Sequence, residues 1–359
     1  MDPQRYVRAY LERTYRADHP DLIEAAQKLL HDDVAKRPEH YAQTDFARAL
    51  ISYARTHEHL MDALARMDDL PDEEFERKRA ELFDQTRHAM HEIAQAEPQV
   101  IDAQLVGAML TDQGLDACLS DLMKIEAYAR ERLETCAAGF DEEAPHFWKS
   151  DLLAETGCSA AELTRTEPAL VGWLHTLEAI SQLSLASARY RAAARYARTV
   201  MRAVGYPNHA EGTVLLSLAR LEDSDGFFAL VHELEQRHAQ AAAEGYVEDP
   251  LLHGVDDSPW FLLARTLLLY KEGKERPARR ALREFSQQCD GGAFLLLNPT
   301  YINPYLPVRP TVHDRWKLVH QAVWEAEGAV YDTPDFVPWA ETVEGIFEAS
   351  EGFAERHGF

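Results

Sequence analysis

The sequence predicts an all-α protein assembled from antiparallel helix pairs. Apolar residues recur at helical spacing along most of the chain, and no segment alternates with β-branched residues as a strand would. Beyond about residue 72 the periodic stretches fall into pairs of about 34 residues ending near a proline, the period of a tetratricopeptide array. The spacing is irregular, with long inserts at 137–166 and 244–257. An irregular helical bundle therefore stands as the alternative to a solenoid.

The elements follow in order. Tyr6, Val7, Tyr10 and Leu11 make one apolar stripe. Asp21 to Leu30 follows Pro20, a residue suited to a first helical position. Thr44 or Asp45 is placed to cap a helix whose stripe is Phe46, Ala49, Leu50, Tyr53, Leu60 and Leu64. Glu73 to Ala96 stops at Pro98; Pro98 to Leu110 and Leu115 to Cys136 follow, with Gly114 between them. Three pairs come next: Pro168–Leu185 with Arg189–Val204, Ala210–Leu221 with Gly226–Ala243, and Ser258–Tyr270 with Arg276–Cys289. Pro299, Pro304, Pro307 and Pro310 then forbid a regular helix. The apolar residues among them, Phe294 to Leu297 with Tyr301 and Tyr305, predict a loop packed on the array. Two helices, Val312 to Ala329 and Pro338 to His357, finish the chain. The expected organisation is a helical cap region at 1–70, the array at 71–290, the proline-rich loop at 291–315 and capping helices at 316–359.

Composition excludes several classes. Of 359 residues, 37 are Lys or Arg and 61 are Asp or Glu, a formal charge of −24. Such a surface repels phosphate backbones and anionic membranes, so neither nucleic acid nor membrane is an expected partner. The first residues, MDPQRYVRAYLERTYR, lack the apolar core of a secretory signal. Phe261 to Tyr270 is too short to span a bilayer. Cys118, Cys136, Cys158 and Cys289 form no CxxC pair and read as thiols of a reducing compartment. The expected location is cytoplasmic.

Three stretches, taken together, resemble a known family. They are Pro145-His146-Phe147-Trp148; Tyr196-Ala197-Arg198 through Tyr206-Pro207-Asn208-His209-Ala210-Glu211-Gly212; and Asp256-Asp257-Ser258-Pro259-Trp260. In this order they are similar to the divergent bacterial tetratricopeptide proteins related to the suppressor-of-tumorigenicity family. Asn298-Pro299 to Tyr305-Leu306-Pro307 resembles a further segment of that family, and the likeness spans about 72–310. The chain departs from the family at Arg165-Thr166-Glu167-Pro168-Ala169, with an acid where an arginine is expected. It departs again at YPNHAEG, which keeps the Pro-Asn turn and the glycine but loses polar side chains. The resemblance implies a TPR-like superhelical scaffold and no reaction.

The residues themselves give catalysis little to stand on. There is no P-loop, no GxSxG elbow and no HExxH. Adjacent acids such as Asp32-Asp33 and Asp256-Asp257 sit at helix termini, where the dipole favours them. His57 and His59 point about 200° apart on a helix. His88, His91 and Glu92 share one face and are the candidate metal ligands; the alternative is a solvated polar face. No cofactor is expected.

The distinctive pattern is basic. Arg191, Arg195, Arg198 and Arg202 follow i, i+4, i+7, i+11, a single stripe, with Arg189 beside it. Arg276, Arg279, Arg280 and Arg283 form a second group. Either the stripes pair with acids on neighbouring helices, or they bind an acidic peptide or a carboxylate terminus through the guanidinium fork. The expectation is a non-enzymatic scaffold that binds a peptide or protein segment in a concave groove. A metal-dependent or small-molecule-binding helical protein is the alternative. Candidate lining residues are Trp173, His175, Thr176, Glu178, Asn208, Glu211, Thr213, Trp260, Arg265, Tyr301 and Tyr305. Ile346, Phe347 and Phe353 suit an end cap in a monomer or a contact in a homodimer.

Overall fold

The computed structural model describes residues 2–67, 70–136, 140–145, 163–203, 205–206, 209–243, 251–303, 305–306 and 308–359. These residues form α-helices and two single 3₁₀ turns, with no strand among them. The chain divides into two compact units, Met1–Ala179 with Arg202–Tyr206, and Ile180–Met201 with Pro207–Phe359.

The first unit holds α1 (Pro3–Asp18), α2 (Glu24–Lys36), α3 (Pro38–Tyr41), α4 (Asp45–Ala65), α5 (Asp72–Ala96), α6 (Ile101–Met109), α7 (Leu115–Cys136) and the first part of α8 (Pro168–Ala186). Asp2 caps α1 by accepting the Gln4 N–H at 2.9 Å, and Pro3 occupies the position whose N–H would be orphaned anyway. Thr44 caps α4 through the Ala47 N–H. Asp72, Glu73 and Glu74 crowd the first turn of α5, where the helix dipole favours acids. α1 packs on α4, α4 on α5, α5 on α6 and α6 on α7, so the first 70 residues join the α5–α7 layer without a break. Gly172 is required where α8 meets α6, since a Cβ there would lie 2.7 Å from Ile101 Cβ.

The second unit contains α9 (Tyr190–Met201), α10 (Ala210–Arg220), α11 (Ser224–Ala243), α12 (Pro259–Lys271), α13 (Glu275–Gln288), α14 (Gly292–Leu297), α15 (Arg315–Tyr331), α16 (Phe336–Glu341) and α17 (Ile346–His357). α10 and α12 pack side by side and are buried on nearly every face, as expected of helices apolar all round. α9 covers α10, α13 covers α12, and α15 packs on both α10 and α12. Residue 212 must be glycine, because any Cβ would collide with the Trp260 ring.

One turn recurs in this unit. Ala188, Glu222 and Gly273 all have φ near +60°. In each case the following N–H reaches back five residues: Arg189 to Ser184, Asp223 to Leu218 and Lys274 to Leu269. This is the Schellman closure, which satisfies the last carbonyls of a helix and reverses the chain. Ala188 and Glu222 stand 34 residues apart.

The structure differs from the sequence expectation in four places. The helix expected over Asp21 to Leu30 runs from Glu24 to Lys36, so Pro20 is not its first residue. The expected last helix, Pro338 to His357, is two helices, because Gly345 adopts φ +87° and breaks the path between α16 and α17. The region expected to be irregular from 291 contains α14 and a 3₁₀ turn at Pro299–Tyr301 before its prolines. The final long helix starts at Arg315, where Asp314 accepts the Lys317 N–H.

Candidate functional site

In the second unit, one acid organises a buried polar cluster. Glu325 sits on the inner stripe of α15 among Leu318, Ala322 and Ala329, an apolar face where a carboxylate needs partners. Arg309 supplies them, with Nε donating to one carboxylate oxygen at 2.6 Å and Nη2 to the other at 2.7 Å. The Trp260 indole N–H donates at 2.9 Å and the Tyr305 hydroxyl at 2.7 Å. Arg309 also donates to Thr213 Oγ1 at 2.9 Å and lies over the Trp260 ring. His209 stacks on Trp260 with centroids 4.7 Å apart. Burial opposes ionisation of Glu211, yet the neighbouring His209 and Arg309 outweigh it and hold that carboxyl below its usual range.

This places several candidates of the sequence reading. Trp260 is fully buried and serves the Glu325 clamp; it does not line an open groove. Thr213 and Tyr305 belong to the same clamp, and Glu211 sits beside it. Tyr305, Arg309 and α15 thus pack against the inner faces of α10 and α12. Arg265 reaches Glu284 at 2.8 Å and lies over Phe261, so it ties α12 to α13. Tyr301 is partly exposed and packs its ring against Phe294 and Phe359. Ile346 and Phe353 are buried, whereas Phe347 is exposed. Asn208, His146, Phe147, Trp148, Pro207 and Cys158 lie outside the described residues.

The first unit contains a second buried acid. Asp102 on α6 accepts the Tyr6 hydroxyl at 2.5 Å and the His175 Nδ1–H at 2.9 Å. This orients the ring, with Nδ1 on Asp102 and Nε2 on the far side. His175 is 2% exposed, and Nε2 has no hydrogen-bond partner among the described residues. Burial pushes the Tyr6 phenol well above its usual value. Burial also works against the Asp102 carboxylate, but His175 and the Tyr6 hydroxyl bring it below the usual range. On the next turn of α8, Glu178 accepts the Tyr206 hydroxyl at 3.1 Å. Trp173 is buried too, donating to Glu126 at 3.0 Å and meeting Phe140 edge-on, so it is an internal contact. Sequence reasoning missed Asp102, Glu325 and Arg309. The signal for the two acids was a carboxylate set in an apolar helical stripe.

The candidate metal ligands do not assemble. His88 pairs with Glu92 at 3.4 Å, while Gln95 donates to His91 Nε2 at 2.7 Å. Among the described residues no three His, Cys, Asp or Glu side chains form a group able to hold a metal. Cys118 and Cys289 are buried free thiols, and burial pushes Cys289 up to about 12, which leaves it protonated and unreactive at neutral pH.

The arginine stripe takes a different course. Arg202 pairs with Glu143. Arg191, Arg195 and Arg198 on α9 hold no ion pair among the described residues, and Arg195 lies over the ring of Tyr196. The apolar face of α9, formed by Ala193, Ala197 and Val200, is buried, and Arg191 and Arg195 point outward into solvent. On α13, Arg279 is held by Glu275 and the Thr342 carbonyl, while Arg276, Arg280 and Arg283 likewise lack an acid partner among the described residues.

The fold and these sites define a helical protein of paired α-helices with buried carboxylate clusters and outward arginine stripes. No family model, curated protein or solved structure matches the chain. No described helix is long and apolar enough to cross a membrane.

Proposed function

We propose that this chain is a tetratricopeptide-like scaffold that binds an acidic segment of another protein along α9, with no reaction of its own. The observation that carries the reading is that Arg191, Arg195 and Arg198 hold no ion pair among the described residues, in a chain of formal charge −24. Like charges at i, i+4 destabilise a helix, so three such arginines left together favour an anionic partner. Arg191 and Arg195 are separated by about 6 Å of helix rise. Alternate residues of an extended strand are about 6.6 Å apart. An extended segment with acids at every second residue therefore matches the stripe, and each guanidinium can take one carboxylate through two N–H groups. The recurring Schellman turn and the 34-residue interval between Ala188 and Glu222 support the repeat architecture.

The experiment is a fluorescence-anisotropy titration of a labelled peptide with glutamates at alternate positions. Wild type is compared with the variant Arg191→Gln, Arg195→Gln, Arg198→Gln. The expected result is a loss of at least tenfold in affinity in the variant, with unchanged helix content. Equal binding by both proteins would refute the assignment.

A further inference from the structure

The first unit carries a pocket that the arginine stripe does not involve. It has a volume of about 620 Å³, within the size range of small-molecule sites. The pocket follows from the sequence of α6, a helix of nine residues packed on both α5 and α7. The residues that α6 contributes to the pocket include Ala103, Gly107 and Ala108, whose short side chains leave space that larger ones would fill. Ala94 of α5 and Ile125 and Tyr128 of α7 complete an apolar lining.

The charges at this pocket run against the rest of the chain. Arg87 lines it from α5 and Lys124 from α7, with Asp121 as the carboxylate among the lining residues. The whole chain has 61 acids to 37 bases, so a lining with two bases to one acid is a local reversal. Among the described residues, both cations are held only by partners on their own helices, Arg87 by Asp84 and Lys124 by Asp121 at 2.7 Å. Exposed pairs of this kind contribute little, so an anionic ligand can displace the acid partner. His91 and Gln95, hydrogen-bonded to each other, add polar groups at the same pocket.

We propose that this pocket binds an organic monocarboxylate with an apolar body. The apolar body lies over Gly107 and Ala108, and the carboxylate is held by Arg87 and Lys124. Such a ligand is matched by the lining on both counts: apolar atoms leave water, and the head meets charge-assisted donors.

The test uses 1-anilinonaphthalene-8-sulfonate, an apolar anion whose fluorescence rises on transfer out of water. It is titrated onto the full chain and displaced by octanoate, octanol or octylammonium. The expected result is one saturable site from which octanoate displaces the probe at concentrations at least tenfold lower than octanol. Changing Ala94→Leu and Ala108→Leu together should weaken probe binding at least tenfold. Because a filled pocket can also disturb packing, Arg87→Gln with Lys124→Gln serves as the surface variant, expected to abolish the preference for octanoate while circular dichroism stays unchanged. The Arg191, Arg195 and Arg198 variant should retain the site, which separates this proposal from the peptide-binding one. The proposal is overturned if no saturable site is found, if octanol or octylammonium competes as well as octanoate, or if the Arg87 and Lys124 changes leave the preference intact.

Discussion

Asp102 in the first unit and Glu325 in the second are both carboxylates on apolar helix faces, but they are satisfied differently. Glu325 receives a bidentate guanidinium, an indole N–H and a phenol, so its charge and its lone pairs are both answered. Asp102 receives one phenol and one imidazole, and the far nitrogen of that imidazole has no partner among the described residues. The first arrangement is a closed clamp that fixes Tyr305 and Arg309 to three helices, α10, α12 and α15. The second is a hydrogen-bonded chain with an open end. A buried acid with a cation partner loses most when that partner is removed, whereas one held by a phenol and an imidazole loses less.

That contrast can be broken most sharply at Arg309. Arg309→Met leaves Glu325 buried and uncompensated, at a cost of about 3–5 kcal/mol. Urea unfolding should show that loss, and Arg309→Met combined with Glu325→Met should recover most of it. A double variant no more stable than the single one would mean the carboxylate is not the source of the cost.

The next effect is one of pH. Burial pushes His57, whose charge acts on Asp102, down to about 4. Its unfolded value is about 6.5, so between those limits the unfolded chain binds the extra proton. Stability should therefore be full above pH 6.5 and fall as pH drops toward 4, by no more than about 3 kcal/mol. His57→Gln should flatten that limb of the stability curve; an unchanged limb would place the titration elsewhere.

Asp102→Asn should follow, at about 1.5–3 kcal/mol for loss of hydrogen bonds to a charged group. If it costs as much as Arg309→Met, the distinction between the two acids fails. The smallest effect concerns the recurring turn. Ala188 is exposed at φ +58°, a conformation that L residues adopt at a cost and glycine does not. Ala188→Gly should stabilise the protein by about 0.5–1 kcal/mol, read as a rise in Tm.

Much of the helical layout was legible in the sequence because it is local. The stripe of α1, the Thr44 cap of α4 and the Arg positions of α9 all follow from spacings of one to eleven residues. The break at Gly345 was not legible, since a glycine near a helix end is compatible with either path until packing selects one. The site was harder. His175 meets Asp102 across 73 positions, and Glu325 meets Arg309, which lies in a proline-rich stretch with no periodicity. No local pattern encodes those pairings. The arginine stripe was visible as a pattern, but whether acids neutralised it depended on how the helices pack. Trp173 and Trp260 read equally well as surface anchors or interior contacts, and only their hydrogen bonds to Glu126 and Glu325 decide it.

The most direct measurement is a charge swap on α9. Wild type and the variant Arg191→Glu, Arg195→Glu, Arg198→Glu are each titrated with the alternating glutamate peptide and with its lysine counterpart. The expected outcome is reversed preference: wild type binds the glutamate peptide and the variant the lysine peptide, both weakening as salt is raised. Retention of the glutamate peptide by the charge-reversed variant would contradict α9 as the binding surface.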